Sequence, residues 1–134
     1  MNQSRARRVI KAFAIWLPTL FFALLFFQVG VGKFAAFDAW SERLAGWGYP
    51  AGSNVVIGAV ELLGAIALLV PRVAGYGAVT LGAVMLGACG THLLHGEGKS
   101  AAFTAVLAVL LFTLAWFRLP HKPSGVAVPQ ADRV

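Results

Sequence analysis

A carboxylate stands inside a long apolar run, Glu61 in "IGAVELLGAIALLV". An ionised carboxylate at the centre of a membrane helix costs about 2.5–3.5 kcal/mol on insertion scales, so it must be paired, hydrated or protonated, and such groups mark binding or proton-handling sites by default. Gln28 and Lys33 close the preceding apolar stretch and His92 lies near the end of the following one, all at a similar expected depth. A carboxylate beside an imidazole can move a proton, and amide, ammonium and imidazole groups can hold a carbonyl oxygen. Gln28, Lys33, Glu61 and His92 are therefore the candidate ligand-binding set, with Glu61 and His92 the candidate acid/base pair. The plainer alternative is interhelical glue, each group satisfying another's hydrogen bonds.

Two other chemistries are weaker. "HLLHGE" supplies His92, His95 and Glu97, residue types that ligate metals. Two histidines three apart on one helix cannot give opposite axial ligands to one haem iron, and no second histidine-bearing span completes such a site. No metal is expected, and His95 and Glu97 read as a hydrated helix terminus. Cys89 is the single cysteine, which excludes an internal disulfide and a dithiol relay; it reads as a small packing residue.

The elements that must position these residues follow from composition. Of 134 residues, 59% are apolar and only 12% charged, too few polar side chains to cover a water-facing globule, so the chain belongs in a bilayer. A span needs about 20 apolar residues, and four runs meet that: 12–32, 51–70, 73–94 and 101–119. Pro50 suits a first helical turn, Pro71 and Arg72 make a sharp stop, Ser100 is a plausible N-cap and Pro120 ends the last run. Pro18 is tolerable inside the first because neighbouring helices can take up the freed carbonyl. The expectation is an all-α, four-helix membrane bundle forming one domain, 1–119.

Orientation comes from the basic residues. Arg5, Arg7, Arg8, Lys11, Arg72, Arg118, Lys122 and Arg133 fall on one side, against Lys33, Arg43 and Lys99 on the other. The richer side should be cytoplasmic, placing both termini there. The net charge of +6 then reads as topology, and no nucleic-acid partner is expected. The apolar run after "ARRVIK" is too long and Phe-rich for a cleaved signal, so it reads as a permanent span. In the outer loop 34–49, Phe34, Phe37, Trp40, Leu44 and Trp47 recur at three and four residues, an amphipathic interfacial helix acting as an aromatic anchor or, less simply, as a lid. The Pro-rich tail, 120–134, should be a disordered cytoplasmic segment. Glycines 75, 77, 82, 87 and 90 make the third span small-sided, for close packing within the bundle or between protomers.

The sequence resembles the DoxX family, specifically its DoxX-like branch of small four-span membrane proteins, over about residues 24–100. The likeness rests on "QVGVGKF", a "GYP" before the second span, "IGAVELLGAIALLVPR" and "YGAVTLGAVMLGACGTHLLHGEG". It implies a bacterial cytoplasmic (inner) membrane protein, with relatives linked to oxidoreductase assemblies, thiosulfate-to-quinone electron transfer and thiol-stress responses. Lys33, Glu61 and His92 fall on the family's recurrent polar positions. With no second cysteine and no cofactor-binding signature, a redox role here means holding a quinone or anchoring a catalytic partner. The reading is a non-catalytic membrane subunit of a quinone-linked or thiol-linked redox complex, with no intrinsic cofactor and with the lipid bilayer, a redox enzyme or a second copy as partner. The alternatives are a lipid-phase acid/base enzyme of isomerase type, or an assembly factor lending its small-residue surface to another membrane protein.

Overall fold

The computed structural model describes residues 2–120, which form five α-helices: α1 Gln3–Ala35, α2 Phe37–Gly46, α3 Ser53–Leu69, α4 Ala74–Leu94 and α5 Gly98–Arg118. The expected disordered tail lies almost entirely outside the described residues. By length and composition α1, α4 and α5 can each cross a membrane, whereas α3 is apolar but has only 17 residues. Its start is delayed to Ser53 by a turn at Gly52, where φ is 84°. Its end is set by Pro71, which holds Val70 in an extended conformation. At the other extreme, the 33 residues of α1 span about 50 Å at 1.5 Å per residue, more than the roughly 30 Å of hydrocarbon. The helix begins at Gln3, not Ala12, because Arg, Ala and Lys are good helix formers and carry it out of the apolar run. Ser100, expected as an N-cap, lies inside α5; the Glu97 carbonyl accepts the Ala101 N–H at 3.0 Å instead.

The four long helices pack antiparallel in chain order, α1 on α3, α3 on α4 and α4 on α5, while α1 touches α5 only lightly. Glycines make three of these seams close. A Cβ on Gly30 would stand 2.8 Å from Leu62 and 3.1 Å from the Gly58 carbonyl oxygen, fixing the α1/α3 crossing. Gly64 receives Leu81 between α3 and α4, and Gly82 receives Phe112 between α4 and α5. The core between them is built from Phe22, Phe26, Leu68, Leu81 and Leu111. The outward face carries Leu24, Phe27, Leu63, Val109 and Phe117, an apolar exterior suited to lipid.

Of the five glycines on α4, three face neighbouring helices at Gly75, Gly77 and Gly82, while nothing lies within 4 Å of a Cβ on Gly87 or Gly90. Gly77→Val would drive its side chain to 2.9 Å from the Ala67 Cβ and 3.0 Å from the Gly64 carbonyl oxygen. Overpacking of this kind costs about 1–3 kcal/mol, to be read as a lowered unfolding midpoint in detergent. Gly87→Ala should be neutral or stabilising by up to about 1 kcal/mol, as helix propensity alone dictates.

Candidate ligand site

Antiparallel packing of α1 on α3 decides the geometry at Glu61. Helical side chains lean toward the N-terminus of their own helix, so Lys33 and Glu61, on opposite sides of the Gly30/Gly58 crossing, lean toward each other. Lys33 Nζ donates to Glu61 Oε2 at 2.7 Å, with the two side chains only 6% and 2% exposed. The ammonium also sits in the last turn of α1, where the helix dipole favours a cation, and lies 4.6 Å from the centre of the Trp40 ring. Each buried charge thus has a partner.

Two glycine turns bring the rest of the site over this pair. At the end of α2, Gly48 adopts φ 83° and the Tyr49 N–H returns to the Leu44 carbonyl at 2.9 Å. At the end of α4, Gly96 adopts φ 73° and the Glu97 N–H returns to the His92 carbonyl at 2.8 Å. Both are Schellman closures, which need a left-handed residue. The second folds Glu97 back beside His92, whose Nδ1 is 2.7 Å from Glu97 Oε2. A carboxylate only accepts, so an ionised Glu97 places the proton on Nδ1 and leaves Nε2 as the other ring nitrogen. Arg43 donates to the same oxygen at 3.3 Å, and Tyr49 and Thr91 join hydroxyl to hydroxyl at 2.6 Å. Because Thr91 Oγ1 donates to the Gly87 carbonyl at 3.0 Å, Tyr49 is the donor in that contact. Trp47 lies edge-on to His92, with 5.3 Å between ring centres, so α2 is tied to α4 by side chains on both sides of its C-terminus.

Beneath this roof is a cavity of about 700 Å³, within the size range of small-molecule sites. Apolar side chains such as Leu25, Phe26, Met85 and Leu107 line it together with Lys33, Glu61, Thr91 and His92 and with Trp40 and Trp47. Lys33 and Glu61 are thus brought into contact, while His92 lines the same cavity but bonds to Glu97 and not to Glu61. Gln28 is not part of it. Five residues from Lys33 turn it about 140° around the helix, and it is exposed and absent from the cavity wall. His95 is exposed as well, its Nδ1 bonded back to the Thr91 carbonyl at 2.8 Å. Among the described residues no three His, Cys, Asp or Glu side chains gather as a metal site requires, and Cys89 is a free, half-buried thiol off the wall.

Sequence reasoning missed Arg43, Tyr49 and Thr91, and treated Trp40 and Trp47 first as membrane anchors. The spacing of Trp40, Leu44 and Trp47 marks one helix face but not what it faces; that face lines the cavity, whereas Phe34 and Phe37 remain exposed.

The family model of the DoxX-like family matches residues 17–114, from the first half of α1 into the last turns of α5. No curated protein and no solved structure matches the chain.

Removing one member of a buried ion pair leaves the other uncompensated, at a cost of about 3–5 kcal/mol, whereas replacing both by apolar groups can be neutral. Lys33→Met and Glu61→Leu should each lower the unfolding midpoint strongly, and the double variant should recover most of the loss. A double-mutant cycle in detergent checks this; additive losses would show that the two side chains do not act as a pair.

Proposed function

This chain belongs to the DoxX-like family of small membrane proteins, and from that premise we propose that it is a non-catalytic membrane subunit of a redox complex, quinone-linked or thiol-linked, that holds a quinone beneath α2. The observation that carries the reading is the cavity of about 700 Å³ whose lining is largely apolar and also carries ionisable groups. A quinone needs apolar walls for its ring and a hydrogen-bond donor for a carbonyl. The Lys33 ammonium has three N–H donors, of which Glu61 takes one, and His92 and Thr91 line the same cavity. The residues present fit the group. A bound quinone supplies a two-electron carrier; the protein binds its ring, orients a carbonyl toward Lys33 and excludes water with the Trp40 and Trp47 roof.

The placement in the membrane is part of the proposal. All four long helices cross the bilayer of the bacterial inner membrane, with α3 completing its crossing through the flanking Pro50–Gly52 and Val70–Pro71 segments. Arg5, Arg7, Arg8, Lys11, Arg72 and Arg118 stand at the end away from the cavity, which supports cytoplasmic termini. At the cavity end Lys33 and Arg43 are engaged by Glu61 and Glu97.

A second reading is favoured by one contact. Lys33 Nζ and Glu61 Oε2 lie 2.7 Å apart and both line the cavity, close enough to pass a proton between them beside the space an apolar substrate would fill, as an acid/base isomerase would require. In that case Glu61→Gln, which lowers stability by leaving Lys33 unpaired, abolishes turnover in protein that keeps its native helicity; retained turnover rules the mechanism out.

For the quinone reading, the purified protein should bind a quinone analogue, read as quenching of tryptophan fluorescence, and native pull-downs should recover a redox enzyme. Ala88→Phe, which adds a ring to the cavity wall without touching the polar groups, should weaken binding at least tenfold at unchanged helicity. No binding and no redox partner together would overturn the proposal.

A further inference from the structure

We infer that the cavity is loaded sideways from the bilayer, through a cleft between α1 and α5, and takes an amphiphile whose ring or head sits under α2 while its hydrocarbon tail leaves through that cleft into lipid. The inference deepens the proposed function and rests on the cavity being a ligand site.

Three seams of the bundle are closed by glycine crossings at Gly30/Gly58, Gly64/Leu81 and Gly82/Phe112. The fourth, α1 against α5, has none and joins lightly. Its side-chain tie is at the end away from the cavity, where the Arg118 guanidinium lies 4.7 Å over the Trp16 ring. Toward the other end the facing residues line the cavity from both helices: Leu25 and Val29 on α1, Phe103 and Thr104 on α5. Phe103 is 61% exposed and yet forms part of the wall. A side chain that belongs both to the cavity and to the outer surface marks an edge where the two meet.

Toward water the wall has polar edges at the exposed Arg43, Tyr49 and Lys99, and α2 lies across that end. Trp40, Leu44 and Trp47 lie across the end of the cavity, and the Arg43–Glu97, Trp47–His92 and Tyr49–Thr91 contacts hold them there. A ligand reaching the site from lipid passes apolar side chains and Thr104, whose hydroxyl is turned back to the Ser100 carbonyl at 3.0 Å, with Lys99 and Ser100 at the upper rim of the cleft.

Size selects the ligand. On α5 the wall runs from Lys99 to Leu107, about 12 Å along the helix axis, and cavities in this range enclose drug-sized molecules. A head of one or two rings fits, and a tail of lipid length must extend outside. The only apolar medium bordering the cleft is the bilayer. A tailed quinone satisfies both halves of the site, the donors of Lys33 for its carbonyl and the cleft for its chain.

The test closes the cleft reversibly. In a Cys89→Ala background, Gln28→Cys and Val106→Cys, exposed residues next to Val29 and Leu107 that do not themselves line the cavity, are bridged across the cleft with a reducible bifunctional thiol reagent, and the full-length protein in vesicles is offered two quinones with the same ring, one long-tailed and one tail-less. The unbridged protein should bind both, read by tryptophan quenching. Bridging should reduce binding of the tailed quinone at least tenfold and spare the tail-less one, and reduction of the bridge should restore it, which also shows that the fold survived. Equal effects on the two probes overturn the lateral route while leaving the cavity as a binding site. Failure of the unbridged protein to bind either probe overturns the quinone site itself, and the lateral route with it.

Discussion

The pairing of Lys33 with Glu61 is the constraint on which the rest of the structure depends. A carboxylate held among apolar helices is tolerable only with a cation delivered to it, and the cation comes from a different helix. That requirement fixes the register of α1 against α3. The ammonium reaches the carboxylate because Gly30 and Gly58 let the two backbones approach where any larger residue would hold them apart. Glycine spacing on two helices and a charge pair across them are therefore one device.

Charge neutrality at the cavity end follows from the same logic and bears on what can bind. Lys33 is matched by Glu61 and Arg43 by Glu97, with His92 sharing the Glu97 oxygen. Among the described residues Lys99 is the one further cation on the wall. Donors are present in number, but the charges of Lys33 and Arg43 are already compensated inside the protein. A strongly anionic guest would compete with Glu61 and Glu97 for their own partners, whereas a neutral carbonyl can take a spare Lys33 N–H without breaking the pair. The electrostatics and the apolar walls favour the same kind of guest.

Much of this was legible in the sequence because bilayer physics leaves few options. Residues that are apolar for about 20 positions must be helices, and the bounds of α4 and α5 shift from expectation by only a few residues. Glu61 announced itself by being costly, and Lys33 and His92 by sharing its depth. Gln28 was read as a partner on depth alone, but depth does not give the azimuth around a helix, and azimuth decides which neighbour a side chain meets. The fourth partner, Glu97, became visible only when the turn at Gly96 was seen to fold it back. That reversal depends on one left-handed residue, and hydrophobic periodicity carries no trace of it. The role of α2 was hidden for a similar reason: an aromatic stripe has the same spacing whether it faces headgroups or a cavity.

The cavity itself is a consequence of where the small residues are not. Close helix packing in a membrane requires glycine or alanine at the contact, and the chain supplies it between α1 and α3, α3 and α4, and α4 and α5. Between α1 and α5 the cavity-lining positions near the site are Phe26, Val29, Phe103 and Leu107, all larger than the glycines and alanines that close packing requires. Near the opposite end Thr19 and Ala115 are smaller and fully buried, and there Arg118 and Trp16 meet. Side-chain volume graded along a single seam is enough to turn a closed bundle into one that opens toward α2. The ion pair supplies polarity at the wide end because α1 and α3, the two helices that carry it, are locked together by glycine just beside the opening.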